Sequence, residues 1–175
     1  MTGSNAECHQ QLNENAVIQM KETGTQNSAE NPSPFPEEVG RAMYEKDQNS
    51  HHCGIRLIEV GKGFAKVSMN IENRMLNGNG YCHGGMLFTL ADTAFSYACN
   101  SYNRISVAQH CSITFLIPVS KGDFLTATAE ENQLIGKNGI YDIDVKNQHG
   151  LTVALFRGHS RSIRGEVITT GGDNE

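Results

Sequence analysis

The residues that could do chemistry in this sequence lie close together, between positions 77 and 100. His83-Gly84-Gly85 precedes a long apolar segment, and Asp92 is the only carboxylate of that segment. If the segment is a helix, its first backbone N–H groups lack partners within it, and two glycines leave them open to a ligand. Such donors suit a carbonyl oxygen that becomes negative during acyl transfer, and a carboxylate nearby suits a base.

Each of these features also has an ordinary structural explanation. A His-Gly-Gly triplet is common where a helix begins, and a lone aspartate among Thr and Ser is usually hydrogen bonded or solvated. Their combination favours a catalytic role. Phe88 and Cys99 border Asp92 on the apolar side, so we expect partial desolvation to raise the pKa of Asp92. These residues alone do not identify a reaction.

The spacing of apolar residues predicts that the segment is a helix over residues 84–100. At about 100° per residue its polar side chains share one arc, namely Thr89, Asp92, Thr93, Ser96 and Asn100. The remaining side chains are apolar or small, so we expect other structure to wrap around this helix.

Alternation with a period of two predicts strands on both sides of the helix. Two strands precede it, at 55–60 and about 64–71, joined by a glycine-containing hairpin. Four follow it, at about 107–117, 125–129, 141–145 and 151–164. In the first of these four strands, the alternation places Val107 on the same face as Cys111 and on the face opposite to His110. A short helix is expected at 37–48. The order predicts an α+β fold, with an antiparallel six-stranded sheet around one central helix.

Composition predicts one globular domain between two tails. Residues 1–35 contain few apolar side chains and many Asn, Gln, Glu, Ser and Thr, which predicts a disordered N-terminal tail. We expect the domain at 36–166 and a flexible C-terminal tail at 167–175. The net charge of −5 argues against nucleic-acid binding. A long apolar run and a secretory signal are absent from the sequence, which predicts a cytoplasmic protein that does not enter the membrane.

The cysteines favour reduced thiols over disulfides or a metal site. They are odd in number and scattered, with no CxxC pair, at Cys8, Cys53, Cys82, Cys99 and Cys111. Cys82 and His83 are adjacent, whereas structural zinc ligands come as spaced pairs. We therefore predict no bound metal.

Residues 77–101, NGNGYCHGGMLFTLADTAFSYACNS, resemble the signature of the thioesterases of phenylacetic acid degradation (PaaI type), a hotdog-fold family. The resemblance covers about residues 36–166. It continues through Phe115-Leu116-Ile117-Pro118, Gly122-Asp123, Tyr141-Asp142-Ile143 and Ala154-Leu155-Phe156-Arg157-Gly158.

The resemblance implies an acyl-CoA thioesterase and assigns roles to four residues. Gly84 would give its N–H to the thioester carbonyl, and Asp92 would reach in from a second subunit as nucleophile or general base. His83 would shape the loop, and Asn77 would orient water or substrate. The family assembles as a dimer of hotdog dimers with sites at subunit interfaces, and it needs no cofactor, since CoA is part of the substrate. Its members act on aryl-acyl-CoA esters such as hydroxyphenylacetyl-CoA.

Other assignments are less direct. CoA phosphates need positive charge, and Lys137, Arg157 and Arg161 lie on elements that the family uses for this. Related enzymes carry a serine on the strand facing the site, where this chain has Ala108 and Gln109.

Two alternatives remain. A hotdog enoyl-CoA hydratase or dehydratase typically has a Gly-Asp-x-Asn-Pro segment, which this sequence lacks. A non-catalytic acyl-CoA sensor needs no carboxylate at position 92.

Overall fold

A computed structural model describes residues 35–169 of the chain. They form two N-terminal helices, α1 (Pro36–Lys46) and α2 (Gln48–Cys53), and a central helix, α3 (Gly84–Asn100). The six strands are β1 (Arg56–Gly61), β2 (Phe64–Asn70), β3 (Ser106–Phe115), β4 (Phe124–Ile135), β5 (Asn138–Lys146) and β6 (Thr152–Ser162).

The strands form one antiparallel sheet in the order β1-β2-β4-β5-β6-β3. One face of this sheet packs on α3 through small and β-branched side chains such as Ala127, Val67 and Val145. This arrangement confirms the predicted fold, a six-stranded antiparallel sheet around one central helix. The strands β1 and β3 are its edges.

The helix α3 is buried along most of its length, as its composition predicted. Leu90, Ala91, Ala94 and Ala98 are fully buried. Its two threonines need no partner on the sheet, since Thr89 and Thr93 each donate to a carbonyl one turn earlier in the helix, at 2.9 and 2.8 Å. Asn100 instead pairs with the backbone N–H and C=O of Ser106 on β3, at 2.8 and 3.1 Å. No buried side-chain nitrogen or oxygen among residues 35–169 is therefore left without a partner.

The N-terminal helix predicted at 37–48 is α1, which ends at Lys46, and it is followed by a short helix, α2, that was not predicted. The chain breaks at Asp47, whose backbone leaves the helical region, and whose carboxylate accepts hydrogen bonds from the N–H and the hydroxyl of Ser50 at 3.0 and 2.6 Å. An aspartate that caps a new helix stops the preceding one. The hydroxyl of the buried Tyr97 on α3 also donates to Asp47, at 3.0 Å, which ties α2 to the central helix.

A β-bulge in β3 changes which side chains face α3. Ala108 pairs with Ser160 and His110 pairs with His159, so Gln109 is the additional residue. Val107 therefore lies opposite the exposed Arg161 and shares its outer face. The prediction that Val107 lies on the same face as Cys111 was wrong, because strict alternation does not anticipate a bulge.

The ends of the described segment bear on the predicted tails. Residues 1–34 and 170–175 lie outside the described residues, and they include the tail predicted at 1–35 except for its last residue. Within the described part, the side chain of Asn103 pairs with the backbone N–H and C=O of Ile168 at 2.9 and 3.0 Å. Between residues 35 and 169, no helix has the length and apolar character needed to cross a membrane.

Candidate active site

The helix α3 begins with an N–H group that has no internal partner. Nδ1 of His83 accepts a hydrogen bond from the N–H of Gly85 at 2.9 Å, and its carbonyl accepts from the N–H of Met86 at 2.8 Å. The N–H of Gly84 has no acceptor among residues 35–169. His83 thus caps the helix and leaves one donor, at the positive end of the helix dipole, for a ligand.

A cavity of about 550 Å³ lies beside that donor. Gly84 lines it, together with Asn77, Tyr81, Cys82, Leu87, Phe115, Leu116, Ile117, Pro118 and Val119. A Cβ atom at Gly84 would lie only 2.9 Å from Cζ of Phe115. Glycine is therefore the residue that leaves this space open beside the backbone.

Asn77 organises the loop that forms another wall of the cavity. Its Oδ1 accepts hydrogen bonds from the N–H groups of Asn79 and Tyr81 at 2.9 and 3.3 Å. Its own N–H donates to the carbonyl of Tyr81 at 2.7 Å. The Nδ2 group has no acceptor within the described part of the chain, so Asn77 can fix the loop and still donate to a water or a substrate.

Asp92 does not line this cavity. It lies eight residues after Gly84 on the same helix, which separates the two positions by about 12 Å along the axis. A thioester carbonyl held at Gly84 is therefore out of reach of Asp92 of the same chain. The structure brings Gly84 and Asn77 together, with His83 as the cap beside them, and places Asp92 elsewhere.

Asp92 is half-buried against β3, and its closest side-chain donor is a thiol. Sγ of Cys111 lies 3.9 Å from Oδ1 of Asp92. Burial raises the pKa of Asp92, and the Cys111 thiol partly opposes this rise. Burial and the carboxylate together raise the pKa of Cys111 to about 11 and that of Cys99 to about 12. A carboxylate with a raised pKa is a stronger base than an exposed one, as the sequence predicted.

The contact from Cys111 was missed in the sequence. The resemblance places a serine of related enzymes at Ala108 or Gln109, whereas the structure places the thiol of Cys111 against the helix. Ser96, one turn beyond Asp92, makes no side-chain hydrogen bond with it in the structure.

The three basic residues predicted to bind CoA lie away from the cavity of the same chain. Arg157 and Arg161 are on the outer face of β6, and Lys137 is in the turn between β4 and β5. Both oxygens of Asp142 accept from Arg157, with Nε–Oδ1 at 2.6 Å and Nη2–Oδ2 at 2.8 Å. Lys137 and Arg161 adjoin each other, because Arg161 pairs with Asn138 across the strands. Within residues 35–169, neither of these two side chains forms an ion pair.

The cysteines and the possible metal ligands of the described segment are dispersed over the fold. The four cysteines of the described segment are free thiols. No group of three or more His, Cys, Asp or Glu side chains in residues 35–169 is placed to hold a metal ion. The absence of a cofactor stays a prediction.

Comparison with known proteins identifies the relatives of this chain. The Thioesterase superfamily matches residues 79–154. The acyl-coenzyme A thioesterase PaaI of Escherichia coli (strain K12) is 51% identical over 126 residues, which cover 72% of this chain and 90% of that protein.

Solved structures agree with this relationship. The structure of the E. coli PaaI protein from the phenylacetic acid degradation operon has a TM-score of 0.74 and 49% identity, covering 75% of this chain and 95% of that one. A hypothetical thioesterase from Streptococcus pneumoniae TIGR4, solved with coenzyme A, has a TM-score of 0.61 and 27% identity, covering 64% of this chain and 90% of that one.

Proposed function

Since this chain belongs to the hotdog-fold acyl-CoA thioesterases of the PaaI type, we propose that it hydrolyses aryl-acyl-CoA esters, such as hydroxyphenylacetyl-CoA, to the free acid and CoA. The observation that carries this proposal is the cavity at the start of α3, where the free N–H of Gly84 meets an apolar wall. A thioester has a carbonyl to accept that hydrogen bond and an acyl group to fill the apolar space.

The preference for an aryl group rests on the side chains around the cavity. Tyr81 and Phe115 line it and are 47% and 51% exposed, and the aliphatic side chains of Leu116 and Ile117 continue the same surface. Exposed aromatic rings pack favourably edge-to-face or offset against another ring. An aryl-acyl group would cover this surface, which is otherwise open to water.

Gly84 and Asp92 divide the chemistry between them. The N–H of Gly84, at the positive end of α3, stabilises the negative charge that develops on the carbonyl oxygen. Asp92 either deprotonates the attacking water or attacks the carbonyl carbon itself. In both routes the C–S bond breaks, CoA leaves as the thiol, and water supplies the hydroxyl of the acid. His83 holds the helix start in place, and Asn77 orients the water or the substrate.

The separation of about 12 Å between Gly84 and Asp92 supports a site shared by two subunits. We propose that Asp92 of one copy acts on a thioester bound at Gly84 of another, within a dimer that pairs again into a tetramer. The edge strand β3 supports such a dimer, because it is ten residues long and exposes Val107 and Phe115. We also propose a cytoplasmic location, where acyl-CoA esters are formed.

The first experiment compares the wild type with Asp92→Asn on a panel of acyl-CoA esters. The panel contains phenylacetyl, hydroxyphenylacetyl, benzoyl, short-chain and long-chain esters, with free acid quantified by chromatography. We expect aryl esters to be preferred, and Asp92→Asn to lower kcat at least about a hundredfold, or roughly 2.7 kcal/mol of barrier. Asp144→Asn is the matched control, since this half-buried carboxylate pairs only with Lys146 in the described segment.

The outcomes separate the parts of the proposal. Full activity in Asp92→Asn would remove Asp92 from the mechanism but keep the thioesterase. Preference for a long-chain ester would overturn the aryl assignment. Coenzyme A binding without hydrolysis of any ester would favour an acyl-CoA sensor, and hydration of an unsaturated ester would favour a hydratase.

Mixed oligomers test whether the site is shared. When Asp92→Asn and Gly84→Ala chains are co-expressed, half of the dimers combine one of each. In such a dimer one site carries both substitutions and the other carries neither. We expect the mixture to recover about a quarter of wild-type activity. If both residues act within one chain, the mixture stays as inactive as its components.

A further inference from the structure

We propose that Cys111 is a positioning residue for Asp92, with its thiol hydrogen bonded to one carboxylate oxygen so that the other faces the reaction. This inference rests on the proposed role of Asp92. The two side chains come from different elements, β3 and α3, and Sγ of Cys111 lies 3.9 Å from Oδ1 of Asp92. The structure gives Oδ2 no partner among residues 35–169.

Cys111 is suited to donate a hydrogen bond and unsuited to act as a nucleophile. Its side chain is half-buried, and burial together with the charge of Asp92 raises its pKa to about 11. A thiol with this pKa keeps its proton at neutral pH, and the thiolate is the nucleophilic form. Its S–H group is therefore available to the carboxylate as a weak donor.

Three neighbouring donors on α3 are already committed to other acceptors, and the Ser96 hydroxyl does not contact Asp92. The hydroxyl of Thr89 donates to the carbonyl of Gly85 at 2.9 Å, and the hydroxyl of Thr93 donates to the carbonyl of Thr89 at 2.8 Å. The thiol of Cys99 donates to the carbonyl of Ser96 at 3.4 Å. In the described part of the chain, Cys111 is the one side chain that donates to Asp92.

The thiol of Cys111 is a weak donor, which suits a general base such as Asp92 in apolar surroundings. The titratable groups that face Asp92 among residues 35–169 are Cys99 on its own helix and Cys111 on β3, and both are neutral thiols. A strong donor or a cation would stabilise the ionised carboxylate further and lower its basicity. The thiol fixes the orientation of the carboxylate with a smaller loss of basicity.

Two variants of Cys111 test this role by kinetics as a function of pH. Cys111→Ala removes the donor, so the ionised form of Asp92 loses a partner and the acidic limb of the kcat profile moves to higher pH. We expect kcat at the plateau to fall roughly threefold to tenfold, the range for one net hydrogen bond, with KM unchanged. Cys111→Ser restores a donor of greater strength, so the limb moves back to the wild-type position or below it.

Controls separate positioning from packing and from failure of the proposed function. Cys53→Ala removes a buried thiol on α2 and is expected to leave both kcat and the acidic limb unchanged. Thermal melts identify any variant that is not folded. If Cys111→Ala lowers activity without moving the limb, or Cys111→Ser behaves like Cys111→Ala, the positioning role is wrong. If Asp92→Asn is fully active, the proposed role of Asp92 fails first, and this inference fails with it.

Discussion

Gly84→Ala tests whether the open N–H at the start of α3 is the catalytic donor. The three atoms closest to the added Cβ all belong to the ring of Phe115, at 2.9, 3.3 and 3.4 Å. The ring must therefore shift. Overpacking a closed core costs about 1–3 kcal/mol, and the shift of Phe115 should cost less because this side chain is 51% exposed. Alanine also favours the helix by up to about 1 kcal/mol.

The variant should thus fold normally and lose activity. A methyl group and a displaced ring at the mouth of the cavity would keep the carbonyl from the N–H of Gly84. Loss of one such donor lowers kcat about a hundredfold to a thousandfold, or roughly 2.7–4 kcal/mol. The assay measures kcat and KM by chromatography of the free acid, with a urea titration for stability. Gly61→Ala is the control, since its Cβ would meet Phe64 at an ordinary 3.7 Å.

A double variant shows how the loss arises. In a Phe115→Ala background the added methyl no longer meets the ring, so Gly84→Ala should cost at least about tenfold less than it does alone. Wild-type activity in Gly84→Ala would refute the role of this N–H. An equal loss in both backgrounds would refute the steric argument and leave only a direct effect of the methyl on the substrate.

Two other predictions concern stability and CoA binding. Burial raises the pKa of Asp47, but hydrogen bonds from Ser50 and Tyr97 outweigh this and hold the pKa below its usual value. Ionised Asp47 therefore stabilises the fold at neutral pH. In urea titrations, Asp47→Asn should lower the free energy of unfolding by about 1–2 kcal/mol at neutral pH and by progressively less below about pH 4. A loss of stability that does not depend on pH would contradict this prediction. Arg161→Ala should raise KM for acyl-CoA about threefold to fivefold, and Arg157→Ala should not, because a carboxylate of β5 already holds that guanidinium. Acyl-pantetheine, which lacks the nucleotide phosphates, is the control substrate. A larger rise in KM for Arg157→Ala than for Arg161→Ala would contradict the prediction.

The sequence predicted the central helix and the strands well because their periodic patterns report burial directly. The helix α3 spans the predicted residues 84–100, and the strands appear in the predicted order. The helix α2 was missed, because Asn49, Ser50 and the two histidines that follow are weak helix formers. Only the hydrogen bonds of the Asp47 carboxylate to Ser50 and Tyr97 show why one helix ends and another begins there.

The candidate site was predictable only in part. The start of α3 and its glycines are local features, so Gly84 and His83 could be singled out from the sequence. The contact between Asp92 and Cys111 depends on how β3 packs against α3, which the alternation within the strand does not specify. The pairing of Arg157 with Asp142 likewise depends on the register between β5 and β6, which only the folded sheet reveals.

The placement of Gly84 and Asp92 on a single helix also limits how the length of this chain can change during evolution. One residue inserted between them would turn Asp92 by about 100° and advance it by about 1.5 Å, away from β3. Insertions in the turns at Gly122 or Gly150 would leave the relation of the two residues intact, since those glycines face open space. We therefore expect insertions and deletions to accumulate in such turns and to be excluded from the eight-residue interval within α3.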